Sequence, residues 1–83
     1  MKALEIFVRQ LTDVVVLNGH ISGTDADRML LTFDHVPCAN DTMEENIVFA
    51  LTTLDNALAD GLYPQVRECA RDILGMVKAH YLI

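Results

Sequence analysis

Residues 33 to 41 of the chain read FDHVPCAND, which places a His, a Cys and two Asp around one proline. His35-x-x-Cys38 has the spacing of half a zinc site. A structural zinc needs four ligands, commonly a second closely spaced Cys/His pair. The other candidates, His20, Cys69 and His80, stand apart from one another in the sequence. A lone pair does not make a metal centre, and we expect no metal and no cofactor. His35 and Cys38 also have the types of a base and a nucleophile. Both lie on a connector, with no evident orienting group or oxyanion donor beside them, so no enzyme is expected. A calcium loop begun at Asp25 or Asp34 would put Met29 or Cys38 at its fifth ligand position and lacks the turn glycine. FDHVPCAND reads instead as a joint. Asp34 and His35 end one helix, Pro37 disfavours helical geometry at Val36, and Asn40 to Thr42 begin the next.

The elements around that joint are helical. Leu4, Phe7, Val8, Leu11, Val14 and Val15 recur at helical spacing over residues 2 to 18, ended by Asn18-Gly19. Glu5 and Arg9 stand one turn apart and can pair. The β-branched run Val14-Val15-Val16 leaves a strand open at 14–17. Thr24 and Asp27 give a capping start to a short helix over 25–34, striped by Ala26, Met29, Leu30 and Phe33; a strand is the alternative at 28–33. Thr42 and Glu45 give a second capping box, followed by Ile47, Leu51, Leu54 and Leu58 at 4-3-4 spacing over residues 43–59. After Asp60-Gly61 and Pro64, the residues Val66, Ala70, Ile73 and Val77 repeat that spacing, broadened by Cys69, Leu74 and Tyr81. Two matched helices joined by about four residues form an antiparallel αα-hairpin. The expected fold is therefore all-α: one domain over 1–83, three to four helices, with the N-terminal helix packed across the C-terminal hairpin. Gly75, inside the last helix, is read as a place of close helix–helix approach.

Bulk composition narrows the function. The chain has 83 residues, of which 52% are apolar, and its net charge is −6. So short a chain buries only ~60–65% of its unfolded surface, so some apolar residues should be covered by another chain. A homodimer is the default expectation. Val48, Phe49, Met76 and Leu82 lie off the inward stripes and are the candidate dimer or partner seam. Residues 25–60 hold eight carboxylates against Arg28 alone, a net of −7, while residues 1–24 balance at zero. Such a middle repels phosphates, which argues against direct nucleic-acid binding and for a basic protein surface. Glu44, Glu45, Asp55 and Asp60 are the candidate acidic binding face.

Two cysteines, no signal-peptide pattern and no apolar run of membrane length point to a cytoplasmic protein with reduced thiols and no membrane partner. Size, acidity and helical character match those of acyl carriers, but their Asp-Ser-Leu motif is missing. The single serine, Ser22, sits in GHISGTD. The expected function is a small acidic helical protein–protein interaction module, a regulator, adaptor or chaperone-like protein. The alternative is a phage or mobile-element inhibitor that blocks a host nucleic-acid-binding complex through its acidic surface.

Overall fold

A helix of this chain can form only where its backbone ends are capped and its apolar stripe finds a partner. The computed structural model describes residues 2–38 and 40–81, Tyr81 by its backbone alone. Four helices follow in order: α1 (Lys2–Val16), α2 (Gly23–Asp34), α3 (Asp41–Ala59) and α4 (Tyr63–Tyr81). The described residues contain no strand. The open choices at 14–17 and 28–33 thus fall to helix, with residue 17 already in the turn beyond α1. The β-branched run costs some rotamer freedom, but Val14 is 1% exposed, and its burial outweighs a propensity penalty of a few tenths of a kcal/mol.

α3 and α4 form the hairpin expected from their matched spacing, and α1 packs along α4. α2 completes the circuit by touching α1 on one side and α3 on the other. Each helix therefore has two neighbours, and α1 and α3 sit diagonally opposite with no close approach between them. The interior is filled from all four helices: Phe7, Leu11 and Val14 from α1, Met29 and Phe33 from α2, Ile47, Leu51 and Leu54 from α3, Val66, Ile73 and Val77 from α4. Phe7 and Phe33 meet with ring centroids 5.2 Å apart in a tilted arrangement, which fixes α2 against α1. Such a pair adds about 0.5–1.5 kcal/mol beyond its burial.

The helix ends use local chemistry, in places shifted from the sequence expectation. α2 begins two residues early: Ser22 caps it, its Oγ accepting from the Asp25 N–H while the Asp25 carboxylate accepts from the Ser22 N–H, both at 3.1 Å. The Thr24–Asp27 box does not form, because Thr24 already lies within the helix. Likewise Asn40, not Thr42, caps α3, with its Oδ1 accepting from the Met43 N–H at 2.8 Å. In both cases more than one residue offers a capping oxygen, and burial of the first inward side chain, Ala26 or Met43, selects the register.

α1 and α3 end by the same device. The Gly19 N–H reaches the Val14 carbonyl and the Asn18 N–H the Val15 carbonyl; Leu62 and Gly61 repeat the pattern on Ala57 and Leu58. This is the Schellman arrangement, and Asn18 and Gly61 supply its left-handed residue, at φ 56° and 71°. The Glu5–Arg9 ion pair is not formed. Gly75 does not mark a close approach either, since a β-carbon there would meet no atom within 4 Å. The tight glycine is Gly19, where a β-carbon would overlap the Tyr63 carbonyl.

Candidate functional site

The residues with the most reactive types are placed as structure. His35 is the C-cap of α2, its N–H donating to the Thr32 carbonyl, and Val36 turns into the core at 6% exposure. Cys38 is half-buried, with its thiol against the Val36 carbonyl at 3.7 Å. His20 stacks on Tyr63, ring centroids 4.0 Å apart. Cys69 packs against the core, and burial, with Asp72 and Glu68 nearby, pushes its thiol up from the ordinary range. That is the reverse of what a nucleophile needs. Among the described residues no three His, Cys, Asp or Glu side chains converge to hold a metal ion. No helix among them is long and apolar enough to cross a membrane.

The surface that stands out is the outer face of α3. The inward stripe Met43–Ile47–Leu51–Leu54 directs the opposite side of the helix to solvent, and two large apolar residues lie there. Val48 is 41% and Phe49 74% exposed. Leaving a phenylalanine in water forgoes about 1.5–3 kcal/mol of burial. Val48 and Phe49 line an open trough of about 550 Å³ together with Asp41, Glu44, Glu45 and Thr52. The spacing i, i+3, i+4, i+7, i+8 and i+11 from Asp41 gathers these side chains on one face.

The carboxylates of this face are unpaired: Asp41, Glu44 and Glu45 take part in no ion pair with a described residue. Asp41 and Glu44 lie in the first helical turn, where a negative charge favours the helix. Glu45 lies beside that turn and flanks the trough with them. Thr52 and Thr53 direct their hydroxyls back to the Val48 and Phe49 carbonyls at 2.9 Å, so these groups are already engaged within the helix.

The structure thus joins four of the sequence candidates, Glu44, Glu45, Val48 and Phe49, into one patch. It does not bring the others there. Asp55 is half-buried. Asp60 caps the far end of α3, about 24 Å along the axis from Glu44. Met76 packs against the core, and Leu82 lies outside the described residues. Asp41 and Thr52 are the members that a reading of charge and stripe omitted, and α3's 3.6-residue period applied to Phe49 would have found them. Comparison of the chain with protein-family models, curated proteins and solved structures finds no match.

Proposed function

We propose that this protein acts without catalysis, by binding another protein through the outer face of α3, as a regulator, adaptor or chaperone-like module. The observation that carries the reading is Phe49, 74% exposed in the midst of unpaired carboxylates. An aromatic anchor ringed by charge is the composition of a binding hot spot and its rim. The complementary surface is an apolar side chain flanked by Lys or Arg, presented by a helix laid along the trough. Nucleic acid is a poor fit, since three carboxylates would meet its phosphates.

Synthetic amphipathic helices with one common apolar face and either Lys/Arg or Glu flanks test this by fluorescence anisotropy. The basic peptide binds and the acidic one does not, and added salt weakens the binding. Phe49→Ala reduces it roughly ten- to thirtyfold, the loss of about 1.4–2 kcal/mol expected of a moderate hot spot. Equal binding of both peptides, or indifference to Phe49→Ala, would sink the reading. If neutralising Glu44, Glu45, Asp55 and Asp60 abolishes partner binding while Phe49→Ala leaves it intact, recognition rests on charge alone. That is the signature of an inhibitor occupying a phosphate site.

A further inference from the structure

The face built by α1 and α2 carries a different kind of surface. Between α1 and α2 lies a cleft of about 430 Å³, floored by Val14 and Met29 and walled by Gln10, Asp13, Leu17 and Arg28. Its end is formed by Val16 and Leu17, which are 70% and 51% exposed. Asp13 and Arg28, on the two walls, form no ion pair with each other or with any described residue. Asp25, also on the rim, is held by the Ser22 cap.

We propose that a second copy of this chain docks on this α1–α2 face. A two-fold axis sets Asp13 of each copy against Arg28 of the other and seats each Leu17 in the facing cleft. The inference stands independently of the α3 reading. An isologous interface needs one patch that complements itself, so it must carry both a knob and a hole, and both signs of charge. The α1–α2 face has all four: Leu17, the cleft, Asp13 and Arg28. The α3 face fails the same requirement. Its charged lining residues, Asp41, Glu44 and Glu45, are all of one sign, so the patch holds no cation with which a second copy could pair them.

Long-range charge favours the same choice. Two molecules of net charge −6 repel at most approaches, yet residues 1–24, which include all of α1, sum to zero. Arg28 is the one cation of residues 25–60, and it lies on this face. A standard interface takes about 800 Å² from each partner, roughly a sixth of this chain's 5079 Å². Two helices of 15 and 12 residues supply that only if used from end to end. The expected dissociation constant is therefore about micromolar.

The test is a charge exchange on the full-length protein, followed by sedimentation velocity and native mass spectrometry, with circular dichroism to confirm folding. The unaltered chain is dimeric at ~100 μM, well above that constant. Asp13→Arg sets Arg against Arg and Arg28→Asp sets Asp against Asp, so each weakens the dimer roughly ten- to hundredfold. The double variant recovers it. An equimolar mixture of the two single variants yields a mixed dimer, because every contact across the axis then pairs Arg with Asp.

A chain that stays monomeric at that concentration overturns the proposal. So does a dimer indifferent to both reversals, or one abolished by Phe49→Arg, which would place the seam on α3. Failure of the mixed variants to associate after both singles have dissociated would show that these two residues do not face each other. Peptide binding at Phe49 is scored separately, so the two readings fail independently.

Discussion

Two connectors of six residues, 17–22 and 35–40, join the first three helices, and their roles are the reverse of what their residue types suggest. The second holds His35, Pro37 and Cys38, the types of a metal or nucleophile site, yet it is a joint that buries Val36 in the core and packs Cys38 partly against it. The first reads as a plain Asn-Gly turn, yet Gly19 is buried against the Tyr63 carbonyl. Around it, His20 stacks on Tyr63 and the Asn18 Oδ1 accepts from the Arg67 guanidinium at 3.4 Å. The difference teaches that reactive types acquire a chemical role only when tertiary structure makes them converge. A glycine acquires a strict structural one when backbone closes over it.

The sharpest way to break this contrast is at Gly19. Alanine there takes on left-handed geometry at φ 83° and pushes its β-carbon into the Tyr63 carbonyl. Left-handed strain and overpacking together should cost about 3 kcal/mol in urea unfolding, or roughly 12–24 °C in Tm for a domain of this size. A loss under ~1 kcal/mol would mean that the turn lifts off α4 cheaply. In the other connector, Val36→Ala removes two buried methyl equivalents and should cost about 1.5 kcal/mol by the same measurement. A larger effect would mean that the joint organises the packing of α2 on α3.

Both connectors end in a cap, which permits a matched pair. Ser22→Ala and Asn40→Ala should each cost about 1 kcal/mol. Ser22 should be the more costly, because its partner Asp25 loses its reciprocal position in the box. The smallest effect separates chemistry from architecture: His35→Ala, at an exposed site, and Cys38→Ser, a near-isosteric change at a half-buried one, should each change stability by less than about 0.5 kcal/mol. A zinc-dependent rise in Tm that either substitution removed would restore FDHVPCAND as a site.

Gly75→Ala provides the opposite sign to Gly19→Ala. With open space around it and helical geometry compatible with a side chain, the alanine should stabilise by about 0.5–1 kcal/mol. The Cys69 thiol adds a pH effect at the far end of the scale. Its folded pKa is raised above the unfolded value near 9.0. The unfolded chain therefore deprotonates first, and stability present below that pH declines as pH rises through it.

Much of the architecture was legible along the chain, because apolar residues at 3.6-residue spacing commit a segment to a helix with one inward face. Ile47–Leu51–Leu54 and Val66–Ala70–Ile73–Val77 show this directly, and a short link between two such stripes leaves them only a hairpin. The capping registers were not legible. Ser22 and Thr24, or Asn40 and Thr42, compete locally, and only the burial of Ala26 and Met43 separates them. The strand alternatives at 14–17 and 28–33 were open for a related reason. A short apolar run is compatible with either period until its partners are known.

The sequence by itself determined that this chain is helical, acidic through its middle and richer in apolar residues than its small interior can hold. These properties depend on composition and on neighbours three or four residues apart. Tertiary structure decided which apolar residues remain outside and what charges surround them. The packing of α3 between α2 and α4 leaves Phe49 beside Glu45, and the packing of α1 on α2 sets Asp13 across a cleft from Arg28. A surface joins residues that are distant along the chain, so its chemistry exists only after the helices have chosen their neighbours.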